Sequence, residues 1–243
     1  MAALAVAFTL ASAARAANIG YVVGTDNLGQ SFDIGWMARL TGQGHKVTQF
    51  PENTAANSPG LATMNLFIVS NDVGSGGYLS GIGLNQPQPI ITFEFGLYDE
   101  IFGGANGGST AGIANNITIL NPSSPLGAGL SGNVSMYTGG GMGSRVNLTP
   151  LSAGTQLIAS SVADGTLAVF LNLPAGAQGG TGQAGTTVWS APRIGLPIYA
   201  DWDPALVTDN GWKIIDRAVS VSLVPEPGTS ALIGIGIAAL FMR

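Results

Sequence analysis

The chain reads as a single α/β domain built on a largely parallel sheet, with an apolar segment at each end. Three observations lead there. The first seventy residues alternate strand, helix, strand, strand, which is the opening of a βαβ arrangement. Two later segments, Asn65-Leu-Phe-Ile-Val69 and Pro89-Ile-Ile-Thr-Phe93, are continuous apolar runs of strand length, as suits strands buried on both faces. Hydrophobic residues make up 46% of the chain while charged residues make up 9%, against roughly 25% in an average domain. Apolar mass for a core is therefore ample.

The elements follow in order. Ile19–Val23 is the first strand. Ser31 is placed to cap a helix over Phe32–Thr41, with Ile34, Met37, Ala38 and Thr41 along one side at i, i+3, i+4 and i+7. Gly42-Gln43-Gly44 ends it. Lys46–Phe50, Asn65–Val69 and Pro89–Phe93 continue the strands. Asn116–Leu120, Val134–Tyr137, Gln156–Ala159, Leu167–Leu171, Thr186–Trp189 and Arg193–Leu196 form a second half richer in strands and turns. Thr208 or Asp209 caps a last helix over Gly211–Ser220, with Trp212, Ile215 and Val219 on one face. No linker or repeat divides residues 18–223, a length typical of one domain.

Composition removes several function classes. The formal net charge is −5 and no basic stripe exists to neutralise phosphates, so no nucleic-acid partner is expected. There is no Cys, which excludes disulfides, thiolate zinc sites and a Cys nucleophile. The one His, His45, cannot build an imidazole metal site. It is expected on a surface turn, at the end of the sheet opposite the strand C-termini where open α/β sheets bind ligands. The Gly-rich stretches Asp72–Gly77 and Gly139–Gly143 lack the lysine of a phosphate-binding loop and read as turns. Pro174–Gly185 reads as a low-complexity loop. No catalytic residue, metal or cofactor is assigned.

Residues 1–17, MAALAVAFTLASAARAA, are an apolar run ending in small residues. Ala14 and Ala16 fit the small-x-small pattern of a secretory cleavage site. At the other end, Pro225-Glu226-Pro227 precedes an uncharged stretch, Gly228–Met242, that ends at Arg243. As a helix it spans about 22 Å, short of the roughly 30 Å hydrocarbon core. The order of motif, apolar helix and terminal cation resembles a PEP-CTERM sorting signal over residues 224–243. That resemblance implies recognition by an exosortase after passage through the secretion machinery. It also implies transient anchoring in the inner membrane of a Gram-negative bacterium, then release to the cell surface, biofilm or extracellular matrix. The family's usual cluster of terminal Arg is here a single Arg243.

The centre carries a second resemblance. Ile19–Asp26, the helix end Leu40-Thr-Gly-Gln-Gly-His-Lys-Val47, Asn65–Ser70 and Ile90-Ile-Thr-Phe-Glu-Phe95 resemble ThuA-like and class I glutamine-amidotransferase-like domains. So does Ile119-Leu-Asn-Pro-Ser-Ser-Pro-Leu-Gly-Ala-Gly-Leu-Ser-Gly132, and the ending Ile194-Gly-Leu followed by Thr208-Asp-Asn-Gly-Trp212. The resemblance implies a flavodoxin-like sheet with helices on both faces. The chain departs from the amidotransferase pattern in having no Cys, and Ser124 stands where His is common.

What remains is a set of carboxylates. Asp26 follows the first strand, Asp72 the third, Glu94 the fourth, and Asp201 and Asp203 a late one. In a parallel sheet these gather on one rim, where oxygen ligands suit a cation or acid–base work on a sugar. Asp and Asn also populate turns for local reasons. Trp202, between two Asp, is either a core anchor or a platform for a sugar ring. Asn116, Asn133 and Asn147 begin Asn-x-Ser/Thr triplets that carry little weight in a bacterial setting. The expected function is that of an exported surface or extracellular-matrix protein acting as a non-catalytic binding or interaction module, with exopolysaccharide as the expected ligand. The alternative is a hydrolase-like enzyme using the rim carboxylates.

Overall fold

The computed structural model describes residues 16–25, 30–103, 108–147, 151–180 and 187–224. The proposed signal residues through Arg15, the proline motif and the apolar tail to Arg243 lie outside the described residues.

In chain order, the first half comprises β1 (Asn18–Val23), α1 (Ser31–Gly42), β2 (Lys46–Pro51), α2 (Pro59–Ala62), β3 (Leu66–Val69), α3 (Ser75–Ser80), β4 (Ile90–Thr92) and α4 (Tyr98–Phe102). The second half comprises β5 (Gly108–Ala111), β6 (Asn116–Ile119), β7 (Gly132–Ser135), β8 (Met142–Asn147), β9 (Gln156–Ser161), β10 (Leu167–Leu173), β11 (Gln178–Gly179), β12 (Thr187–Val188), β13 (Arg193–Gly195) and α5 (Asp209–Ser222).

Among the described residues one eleven-stranded sheet runs β2-β1-β3-β4-β13-β10-β9-β6-β7, with β8 on β10 and β5 on β8. The run from β2 to β13 is parallel, with Ile19 opposite both Val47 and Leu66, and Ile91 opposite both Ile68 and Ile194. This is the doubly wound order, in which ligands bind outside the strand C-termini. From β13 onward the pairing is antiparallel. The chain thus returns from the antiparallel half to place β13 beside β4. The expected α/β class, with a parallel centre, stands.

Both faces are covered. Ile19, Tyr21, Leu66, Ile68, Ile91 and Ile194 pack beneath α1 and α5. Val22, Phe67, Val69 and Ile90 pack against Leu61 of α2, Tyr78 of α3, and Ile101 and Phe102 of α4. Alternation along β1 and β3 divides the side chains between the two layers, which is why β3 reads as an unbroken apolar run. A register shift in β10 between Ala168 and Phe170 puts Val169 and Phe170 into the same layer.

Several sequence expectations are corrected. The buried face of α1 is Phe32, Asp33, Trp36 and Leu40, while Ile34 is 58% exposed. The expected stripe through Ile34 is therefore turned by about one residue position (100°) from the real one. The aromatic pair wins the core: Phe32 and Trp36 lie 5.7 Å apart and each reaches Phe93. The N-cap is Gln30, not Ser31, with the Asp33 carboxylate accepting from the Gln30 amide. The glycine stretch after Asp72 is not all turn, because α3 begins inside it. Strands β5, β8 and β11 and the short helices α2, α3 and α4 have no counterpart in the sequence reading. Thr208 caps α5 as expected, its Oγ1 accepting from Gly211 N at 2.9 Å. No helix among the described residues is long and apolar enough to cross a membrane.

Candidate functional site

The C-terminal ends of β1, β3 and β4 meet on one rim, and each contributes residues from its first turn beyond the sheet. Gly24 follows β1, Ser70-Asn71-Asp72 follow β3, and Phe93-Glu94 follow β4. Gly24 comes so near that a Cβ there would sit 2.6 Å from the Asp72 carbonyl oxygen. Only glycine allows β1 and β3 to close at this end. The Gly24 amide then donates to Asp72 Oδ1 at 3.2 Å. Asp72 Oδ2 is enclosed and has no hydrogen-bond donor among the described residues.

Glu94 is 4% exposed. Its Oε1 accepts from the Gly96 amide at 2.9 Å, and Asn71 Nδ2 reaches Oε2 at 3.4 Å. The same Asn71 amide donates to Phe93 O at 3.0 Å and reaches Ser144 Oγ at 3.3 Å. The Ser144 hydroxyl in turn donates to Phe93 O, tying β8 to the rim. Burial pushes the Glu94 carboxyl up to about 8. The Gly96 amide opposes that shift, and the nearby charges of Asp72 and Glu52 add to it. Glu94 is thus a protonated hydrogen-bond donor at neutral pH, with Asp72 close by. Glu52, from the turn after β2, receives the Gly74 amide at the start of α3. The glycine-rich loop is therefore occupied by the protein's own carboxylate.

Beneath the rim lies Asp33, 0% exposed on α1. Tyr21 Oη donates to its Oδ1 at 2.7 Å, and Ser70 Oγ and Gln30 N donate to its Oδ2 at 2.8 and 3.2 Å. Burial raises this carboxyl to about 6 against the pull of those donors. Asp33, Ser70, Asn71 and Ser144 were not singled out in the sequence. The one available signal was an acidic residue three positions beyond Gln30, the spacing of a capping pair.

The structure brings Asp72 and Glu94 together on the rim. Asp26 lies outside the described residues. Asp203 instead caps a 3-10 turn, accepting from Ala205 N at 2.9 Å, and Asp201 is exposed on the loop that leads to it. Trp202 between them is no platform for a ligand. It is fully buried, stacked on Tyr137 at 4.2 Å, with Nε1 donating to Met142 O at 2.7 Å. His45 does lie at the far end of the sheet, immediately before β2, but it is buried rather than on a surface turn, and burial lowers its pKa. Ser124 caps the 3-10 turn Pro125–Gly127 under α5. Ala16 is exposed, while Ala14 lies outside the described residues. Among the described residues no three acidic or imidazole groups are arranged to hold a metal ion.

Sheet order and rim together define a doubly wound α/β protein with polar groups at its strand C-termini. The fold is similar to that of a crystal structure from Bacteroides uniformis ATCC 8492 described as ThuA-like, with a TM-score of 0.51 and 10% identity, over 90% of this chain and 95% of that one. At this identity the likeness speaks for the fold alone. No family model matches the chain, and no curated protein matches its sequence.

Proposed function

We propose that this chain is an exported, exosortase-processed protein of the cell surface or extracellular matrix. Its α/β domain binds a neutral polyhydroxyl ligand, such as exopolysaccharide, at the rim formed by Asn71, Asp72 and Glu94. One observation carries the binding reading: three adjacent side chains offer an amide, a carboxylate and a protonated carboxyl, a set that both donates to and accepts from hydroxyl groups. No Cys is available as a nucleophile, and the single His is buried at the other end of the sheet. These facts support binding over acyl-transfer chemistry. The export reading is supported by the order of Pro225-Glu226-Pro227, apolar stretch and Arg243. It names the secretion machinery and an exosortase as partners and the inner membrane as a transient anchor.

Calorimetry of the exported protein with neutral oligosaccharides tests the rim. Asp72→Asn is expected to weaken binding at least about ten-fold, the loss of one charge-assisted bond, and Glu94→Met by up to about ten-fold, the loss of one neutral bond. Intact-mass measurement of the exported protein tests the tail, which is expected to be gone.

A second reading has its own support. A carboxyl that burial keeps protonated at neutral pH, with a second carboxyl group beside it, is a pairing of the kind glycoside hydrolysis uses. Turnover of glycosides that is lost in Glu94→Gln would favour it over simple binding.

A further inference from the structure

We propose that Asp33 is a positioning residue of the rim: acting through Ser70, it holds Asp72 and the Gly24 turn in the arrangement a ligand meets. The inference rests on the reading of the rim as a ligand site and assigns a role to a side chain that is fully buried beneath it.

Ser70 has a single hydroxyl proton and gives it to Asp33 Oδ2 at 2.8 Å. Its lone pairs are then all that remain, so it acts as an acceptor, and the Asp72 amide donates to it at 3.3 Å. Asp72 Oδ1 in turn accepts from Gly24 N at 3.2 Å. A continuous path runs from α1 through the end of β3 to the end of β1. Tyr21 and Gln30 donate to the same carboxylate, which fixes it between β1 and the start of α1. A charged acceptor strengthens each bond of such a chain by polarising it, and more so in a buried setting. The Glu94 branch of the rim is held separately, by Gly96, Asn71 and Thr92. Asp33 therefore sets the Asp72 side of the site and not the Glu94 side.

Amide hydrogen exchange, read residue by residue by NMR on the exported protein, tests this without a ligand. Asp33→Asn and Ser70→Ala are expected to speed exchange at Asp72 and Gly24 by about ten-fold, the worth of one net hydrogen bond, and to leave Gly96 as in the wild type. Tyr21→Phe removes one of the donors to Asp33 without cutting the path through Ser70, and is expected to speed exchange at the Asp72 and Gly24 amides less than Ser70→Ala does. Unchanged exchange at those two amides in Ser70→Ala overturns the proposal, and that variant decides the matter even if Asp33→Asn does not fold. Acceleration spread evenly over the sheet also overturns it, since that is a purely structural role.

Oligosaccharide affinity is measured alongside. Loosened amides with undiminished affinity remove the positioning role. A wild type that binds no neutral oligosaccharide removes the ligand reading and leaves the exchange result to stand or fall by itself.

Discussion

Glu94 is the residue whose environment departs most plainly from its sequence. A carboxyl whose folded pKa is about 8, against an ordinary 4.5, holds its proton in the native state across a window where the unfolded chain has released it. The native state then binds more protons, so stability is greatest at the acid end of the window and falls as pH rises from about 4.5 toward 8. Asp33, raised from 3.8 to about 6, adds to the fall in the lower part of that range. The slope approaches about 1.4 kcal/mol per pH unit for each such group. Urea unfolding between pH 5 and pH 8.5 is expected to show declining stability, the reverse of ordinary acid denaturation. Glu94→Gln is expected to flatten the curve and to be the more stable protein at pH 8.5. Asp72 and Glu94 were legible as rim residues because strand ends can be read from apolar runs. Asp33 was not, because the helix stripe drawn through Ile34 faced it the wrong way.

At the scale of elements, α5 shows how packing overrules propensity. Gly211 lies in its first turn, where Ala is ordinarily better by about 1 kcal/mol. Here a Cβ would lie 2.4 Å from the Met136 carbonyl oxygen and 2.9 Å from Val207 Cγ1. The helix start is pressed onto the chain leaving β7, where Thr208 N donates to Met136 O at 3.0 Å and Thr208 Oγ1 to Ser135 O at 2.6 Å. Gly211→Ala is therefore expected to destabilise by about 1–3 kcal/mol, the range for overpacking, measurable as a lower urea midpoint. The outer face of α5 meets α1 through Arg39 and Asp216, whose two bonds measure 2.9 and 2.5 Å, with the guanidinium 4.5 Å above Trp212. The two long helices and the Thr208 cap of α5 were visible in the sequence, whereas the α1 cap falls on Gln30, one residue before the expected Ser31. The short helices were not, since α2, α3 and α4 run only four to six residues and carry no full period of apolar spacing.

For the molecule as a whole, β13 is the joint. Three residues long, it pairs parallel with β4 and antiparallel with β10, so both halves of the sheet depend on it. Arg193 anchors it. The side chain is fully buried, and its guanidinium donates to the carbonyls of Leu84, Gln86, Gln88, Ala191 and Pro192 at 2.7–3.2 Å. Burial lowers its pKa to about 10, so the charge is kept, and the cage of carbonyls solvates it. Arg193→Met removes every donor and strands those carbonyls. A loss of about 3–5 kcal/mol is expected, as for breaking other buried charge networks, in one cooperative transition that takes both halves together. Arg193→Lys is expected to recover only part of it, because an ammonium has three donors and no planar fork. Chemical denaturation followed by circular dichroism checks both.

By itself the sequence determined the strands of the parallel half and the two long helices: strands buried on both faces, such as β3 and β4, must be largely apolar, and long helices carry a full apolar period, so those elements are written locally. The tertiary structure alone decided how the second half completes the sheet and what each polar residue means. β5 reads Gly-Ser-Thr-Ala and β8 reads Met-Gly-Ser-Arg-Val-Asn, neither with an apolar run or alternation, so they carry little strand signal until a partner pairs with them. Asp33 and Ser70 stand 37 residues apart, and Arg193 and Leu84 stand 109 apart. The role of a buried charge is set by the groups that replace its water, and in this chain those groups come from distant segments that only folding brings within reach.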